Sequence, residues 1–374
     1  MKTYLFILLA IVLTIPTRSQ IRRCGTDEYM SWWIENRLSP QVKTRWEQDR
    51  AKAFNLKNHP QSRRPTQHQM LMNESEMLNM VDETPQEIVI PIVVHVIAPL
   101  PGHPANISDE QIYSQIDVLN EEFSREITEA DFGRTYPPFW RDRYPKDTKI
   151  RFCLADRDPD NKPTRGITRT FSPITEFAWL DSTQAIKFTA MGGKDIWDRD
   201  RYLNIWVSII DSVAGYSPVP VNFIPRSVDG IVVDYRYFGT IGPVSPLLGD
   251  GITAIHEIGH WLGLFHPWGE MSDNPDCELS DLVEDTPPTA EPAPFECPTT
   301  PFNQAPFSTS LITSDYLFGC GERVMLRNFM DYAPDACSRF FTQGQVNRMR
   351  RFLSPGGFRE LLPLSEQGCG YGGE

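Results

Sequence analysis

The sequence predicts a mixed α/β domain, and three observations carry that expectation. Runs of β-branched and aromatic residues recur between Pro- and Gly-rich turns and read as buried strands. One stretch among them places its apolar residues on a single helical face. A later stretch gathers three of the seven histidines into eleven residues of helical spacing. Strands and helices that alternate in this way build a helix layer against a mixed sheet.

Taken in order, the chain opens with Met1-Lys2 and an apolar run from Tyr4 to Ile15. At about a dozen residues the run is too short to span a bilayer, and it reads as a secretory signal. Thr17 and Ser19 supply the small residues before a cut, so residues 1–19 are expected to be removed. Export favours disulfides, and it changes how seven cysteines are read. The triplets Asn73-Glu74-Ser75 and Asn106-Ile107-Ser108 are glycosylation sequons compatible with export.

From residue 21 to 64 the chain is basic and irregular, ten Lys or Arg against five acids. Since the whole chain carries -13, residues 65–374 are strongly acidic. That excess argues against nucleic acid as a partner, because affinity for phosphate comes from clustered cations. Around Arg63-Arg64-Pro65, and on to about Glu83, the composition is that of an exposed, nickable linker. The expected organisation is a signal (1–19), a removable pro-segment with linker (20–84, cut near 64), and a body (85–374). The alternative is a floppy N-terminus that stays attached.

The body begins with a strand over residues 88–97, whose Pro91 places its start near an edge or an end. Ser108-Asp109-Glu110-Gln111 is a capping box, and Ile112, Ile116, Leu119 and Phe123 share one face of the helix that follows. Strands are expected over 150–154, 202–210 and 230–234. After Pro267 periodicity is lost for some sixty residues rich in Pro, Asp and Cys. A compact domain keeps such a stretch only if cysteines or metal pin it.

The chemistry concentrates in Ile255-His256-Glu257-Ile258-Gly259-His260-Trp261-Leu262-Gly263-Leu264-Phe265-His266. Four apart on a helix, His256 and His260 project from one face one turn apart, as two ligands of one Zn²⁺ must. Gly263 can reverse the chain in a left-handed turn and bring His266 round as the third nitrogen. Three protein ligands leave a fourth position open, the catalytic rather than the structural pattern, and Glu257 stands beside it as general base.

This motif, the later Asn328-Phe329-Met330-Asp331-Tyr332, Asp281-Leu282-Val283-Glu284-Asp285-Thr286-Pro287, Cys297-Pro298, Cys337 and Phe341-Thr342-Gln343-Gly344-Gln345 together resemble the metzincin zinc endopeptidases, and within them the pappalysin family with its short ulilysin-like members. The resemblance runs from about Ile88 to Phe352. It implies a two-lobed catalytic domain in which a twisted mixed sheet, a backing helix and the active-site helix face an irregular, disulfide-held lower lobe. It implies one catalytic zinc on His256, His260 and His266, protein or peptide substrates, Met330 as the apolar floor beneath the metal, and Tyr332 as a hydrogen-bond donor to the reacting carbonyl.

The resemblance also implies the disulfides Cys277–Cys320 and Cys297–Cys337, although four cysteines allow three connectivities. Cys153 and Cys369 lie outside that set and could form a further bond, the alternative being a free Cys369 in its Gly-rich tail. Cys24, in Arg22-Arg23-Cys24-Gly25, then serves as a thiolate that fills the fourth position of a latent form, as related pro-segments do; the alternative is a Cys24–Cys369 disulfide. Asp281, the Val283 carbonyl, Asp285 and Thr286 are expected to hold structural Ca²⁺, with Glu270 in a second site. Asp335 is expected to floor the pocket that takes Arg or Lys after the scissile bond. The reading from the residues is thus a secreted zinc endopeptidase that does not insert into membranes. A catalytically silent binding protein on the same scaffold, or a zinc hydrolase of non-peptide amides, is the alternative; a retained Glu257 argues against the first.

Overall fold

The computed structural model describes residues 22–40, 43, 86–128, 142–144, 147–181, 183–221, 224–269, 280–290, 292, 320, 324–363 and 369–371. The expected signal, most of the linker, Asn73, Glu270, Cys277 and Cys297 lie outside them.

Eight strands form one sheet: β1 (Arg22–Cys24), β2 (Ile88–Ala98), β3 (Ile150–Ala155), β4 (Ile167–Phe171), β5 (Leu203–Ser208), β6 (Val213–Tyr216), β7 (Ile231–Asp234) and β8 (Cys369–Tyr371). Their order is β1-β6-β7-β5-β2-β3-β8, with β4 beside the second half of β2. The pairs among β2, β3, β4, β5 and β7 are parallel, while β6 runs antiparallel to β7 and β8 antiparallel to β3. Parallel central strands are covered on both faces, which is why β2 reads as a continuous apolar run rather than an alternating one. Pro91 sits opposite Cys153 of β3, one residue before β5 joins on the other side. A proline lacking its N–H is therefore tolerated in a strand that is central, not at an edge.

Four helices are described: α1 (Thr26–Arg37), α2 (Asp109–Ser124), α3 (Ile252–Trp261) and α4 (Gln343–Leu353). The Ser108 side chain accepts from Gln111 N at 3.2 Å, as the capping box requires. The Gln111 side chain does not complete the box; it donates to Tyr235 O and Phe238 O, tying α2 to the turn after β7. Ile112, Ile116, Leu119 and Phe123 are all buried with β2, β3, β5 and α3 in one apolar cluster. Burying four such side chains contributes on the order of 1.5–3 kcal/mol each. Gln115 anchors the start of α3, donating to Gly251 O at 2.9 Å and accepting from Gly239 N at 2.7 Å.

The opposite face of the sheet carries a second cluster, built from Trp206, Tyr216, Val232, Phe177 and Ile186 together with Tyr29, Met30, Trp33 and Ile34 of α1. The N-terminal segment is thus packed into the body rather than trailing from it. Cys153 and Cys369 are joined by a disulfide, and Cys24 is a free, buried thiol, which removes the alternative Cys24–Cys369 bond. Cys320 and Cys337 each take part in a disulfide as well. Among the described residues no helix is long and apolar enough to cross a membrane.

Candidate metal centre

Helix α3 is buried along its whole length. It ends where Gly263 adopts φ +89°, with Gly263 N donating to His260 O and Leu264 N to Gly259 O. A Cβ on Gly263 would fall 2.1 Å from the Phe352 ring of α4, and Arg348 of the same helix donates to Gly263 O at 2.7 Å. Glycine is needed at this reversal for its backbone and for its lack of bulk. The C-terminal end of α3 is held too: Arg359 donates to Trp261 O at 3.0 Å and pairs with the buried Asp229, to which the Trp261 indole also donates.

The turn brings His266 to His256 and His260. Their three Nε2 atoms stand 3.1–3.2 Å apart. Each Nδ1 has an oxygen partner that can only accept: Phe329 O for His256 at 2.7 Å, Leu264 O for His260 at 2.9 Å, and Asp27 Oδ1 for His266 at 2.9 Å. The protons therefore sit on Nδ1, and three Nε2 lone pairs point at one another. That arrangement is repulsive without a cation at its centre. Nitrogen donors about 2.0–2.1 Å from zinc stand about 3.3 Å apart in a tetrahedron, so the residues fit the metal. Burial first, and then their mutual repulsion, hold His256 and His260 well below the usual histidine range, which keeps them neutral donors.

A fourth group able to ligate a metal stands on the N-terminal segment. Cys24 Sγ and the three imidazoles offer ligand atoms all within 4.8 Å of one another, all four residues buried. The segment is delivered by strand addition: β1 pairs in parallel with the edge strand β6, Cys24 opposite Gly215. Gly25 N donates to Gly215 O at 2.9 Å. Burial pushes the Cys24 thiol well up, and the Glu257 charge adds to this. A cation held by the imidazoles would pull it back and favour the thiolate.

Glu257 is fully buried beside the cluster. Its Oε2 accepts from Thr26 Oγ1 at 3.2 Å, and Thr26 Oγ1 accepts in turn from Ser217 N. Its Oε1 has no hydrogen-bond partner. Burial pushes the carboxyl up to about 8, against the neighbouring Cys24 thiol and Thr26 hydroxyl, which favour its charged form. Gly215 makes room for it, since a Cβ there would meet Glu257 Cγ at 3.0 Å.

Met330 is fully buried under the helix, its Sδ 2.4 Å from where a Cβ on Gly259 would be. The turn that carries it is fixed by Asn328, whose Oδ1 accepts from Met330 N at 2.9 Å and whose Nδ2 donates to Gln345 Oε1 at 2.8 Å. Tyr332 lies edge-on to His266 at 5.1 Å, and its hydroxyl donates to Cys24 O at 3.4 Å. Asp335 is buried, and Arg23 Nη2 approaches its Oδ1 to 3.1 Å with both side chains almost wholly out of solvent. Arg23 Nη1 also donates to Ala333 O.

Of the expected calcium ligands, Asp285 is engaged at the N-terminus of α4: its carboxylate accepts from Thr342 Oγ1 at 2.6 Å and from Gly344 N at 2.8 Å. Asp281 Oδ1 accepts from Val283 N, and the Val283 carbonyl from Thr286 N. Four contributors have roles that the sequence does not announce. Gly259, Thr26, Asp27 and Trp268 carry no pattern of their own; each is explained by a contact made across the fold.

The comparisons with known proteins agree with this geometry. Residues 190–354 match the peptidase family model described as Pregnancy-associated plasma protein-A. Extracellular metalloprotease 1 of Coccidioides posadasii is 34% identical over 222 residues, 56% of this chain and 70% of that protein. A mature mirolysin of Tannerella forsythia, solved with a cleaved peptide, is 38% identical with a TM-score of 0.64, covering 75% of this chain and 96% of that one. A promirolysin mutant of the same organism is 33% identical with a TM-score of 0.69, covering 92% and 97%. The fold and the histidine centre are those of a zinc metalloendopeptidase. The chain belongs to the pappalysin family.

Proposed function

We propose that this chain is exported behind residues 1–19, held latent by residues 20–84, and active as residues 85–374 once the linker is cut near Arg63-Arg64. The observation that carries the reading is the convergence of Cys24 with His256, His260 and His266 beside a buried Glu257. The relatives support it: the fungal proteins are named extracellular, the mature mirolysin matches 75% of this chain, and the pro-form matches 92%.

When zinc is bound on the three histidines, it supplies Lewis acidity and lowers the pKa of water toward about 7. Glu257 takes the proton of the attacking water on its unpartnered Oε1 side and passes it to the leaving amine. Tyr332 donates to the carbonyl oxygen as negative charge grows there. Met330 and the apolar residues around it exclude water beneath the centre. Asp335, buried and shaped to receive Arg23, selects a basic side chain on the C-terminal side of the scissile bond, because any other leaves its charge unpaired.

The direction of the N-terminal segment follows from this assignment. Arg23 precedes Cys24, whereas a substrate's selected residue follows its scissile bond. The segment therefore crosses the centre backwards relative to a substrate and blocks it without presenting a cleavable bond. Replacing Cys24 by Ala should give a precursor that processes itself prematurely. A stable, silent Cys24→Ala protein would count against the latency reading.

For calcium, Asp281, the Val283 carbonyl, Asp285 and Thr286 remain the proposed ligands, with Glu270 in a second site. Asp285 would have to exchange its helix-capping bonds for a cation. Selective calcium chelation should lower the melting temperature; an unchanged melt would remove calcium from the account.

A further inference from the structure

We propose that Asp27 is a positioning residue for the third histidine, so that the docked N-terminal segment tightens the hold on zinc as well as filling its open position. The proposal rests on the reading of residues 256–266 as a zinc site. The observation behind it is an asymmetry among the three imidazoles. His256 and His260 give their Nδ1–H groups to backbone carbonyls of the body, Phe329 and Leu264. His266 gives its own to a carboxylate of the removable segment, Asp27 Oδ1 at 2.9 Å.

His266 is also the ligand most in need of such help. His256 and His260 are fixed on α3, whereas His266 stands beyond the Gly263 turn in a stretch that is neither helix nor strand. Trp268 stacks against its ring at 4.4 Å and 8°, and Tyr332 meets it edge-on. These contacts restrain the plane of the ring but offer no acceptor for Nδ1.

The carboxylate is itself held in place. Asp27 lies in the first turn of α1, where exposed amides favour negative charge. Trp268 Nε1 donates to its second oxygen at 3.4 Å. A carboxylate on the far nitrogen of a ligating imidazole fixes the tautomer, aims the ring and strengthens the donor. Loss of such a partner typically lowers metal affinity about 10–100-fold. Departure of residues 22–37 removes the Cys24 thiol and the Asp27 carboxylate together. The processed enzyme then holds zinc more weakly than its precursor for two separable reasons.

The test uses the full-length precursor carrying Glu257→Gln, which keeps it intact. Zinc affinity is measured by competition with a chromophoric chelator in that protein, in Asp27→Ala, in Cys24→Ala and in the double variant. Asp27→Ala should weaken zinc binding about 10–100-fold, and by a similar factor on top of Cys24→Ala, because it acts through the imidazole and not through the thiolate. Asp27→Asn, which keeps an acceptor, should recover part of the loss. With Co²⁺ in place of zinc, the visible spectrum of the Cys24→Ala protein should shift when Asp27→Ala is added. Unchanged affinity and an unchanged cobalt spectrum would overturn the proposal. So would a loss confined to proteins that retain Cys24, which would assign Asp27 to docking the thiol. A precursor that binds no zinc with Asp27 and Cys24 both present would instead defeat the zinc reading on which this rests.

Discussion

Arg23→Ala is the perturbation whose consequence can be worked furthest. Arg23 and Asp335 are both buried, their contact is ionic at 3.1 Å, and Asp335 otherwise accepts from backbone amides, Asp250 N to its Oδ2 at 3.1 Å and Ile252 N. Removing one partner of a buried ion pair typically costs 3–5 kcal/mol, because the remaining charge stays buried and alone. At 1.4 kcal/mol per factor of ten, docking of the N-terminal segment should weaken by roughly two to three and a half powers of ten. The readout is hydrogen exchange at Arg22 N and Gly25 N, which bond to Ser212 O and Gly215 O at 2.9 Å only while the segment is docked. Their protection should fall by about that factor in an intact Glu257→Gln precursor. Arg23→Lys should fall between, since an ammonium keeps the charge but does not fork to Ala333 O as well. Protection within about threefold of the parent would refute the reasoning and leave the apolar packing of α1 as the force that docks the segment.

Two further outcomes follow from the buried core. Gly259→Ala would set a methyl about where Met330 Sδ lies, so it should cost on the order of 1–3 kcal/mol and displace the histidine helix; a melting curve and zinc content check it, and Met330→Ala should relieve part of the loss. Lys187 is fully buried, donates to Val228 O, and has the rings of Tyr29, Trp206 and Tyr216 at 5.3–5.4 Å. Burial lowers its pKa to about 7 from 10.5, so between those values the unfolded chain holds a proton that the folded chain has released. Stability from this group therefore rises with pH across that window, by at most about 1.4 kcal/mol per pH unit, and its penalty is complete below pH 7. Wild type should gain on Lys187→Met as pH rises from 7 to 10; parallel stability curves for the two would contradict it.

The parts legible in the sequence are those whose signal is local. His256, His260, Gly263 and His266 are spaced by helix and turn geometry alone, and the strands over 88–98, 150–155, 203–208 and 231–234 announce themselves by their β-branched and other apolar residues. Helix α2 declares its cap and its buried face. What was not legible depends on partners distant in the chain. Strand β4 has no buried residue and is polar at three of its five positions, and β1 is three residues whose pairing exists only because β6 offers an edge. The pairing of Arg23 with Asp335 and of Asp27 with His266 joins parts of the chain more than two hundred residues apart, and no spacing rule reaches that far. Gly259 looks like a helix weakener until Met330 is seen against it. Pro91 suggests an edge or an end; β2 is central, and the proline is tolerated there because its imino position falls where only β3 pairs with it.

The central claim is tested most directly by digesting a denatured protein mixture with the processed enzyme, with and without a zinc chelator and beside Glu257→Ala, and reading every cut by mass spectrometry. The expected result is cutting that the chelator abolishes, that the variant lacks, and that places Arg or Lys immediately after the scissile bond. A folded, zinc-loaded protein freed of its N-terminal segment that makes no cuts would contradict the peptidase reading and leave a binding scaffold in its place; cuts without a basic residue at that position would leave the peptidase standing and remove Asp335 from its specificity.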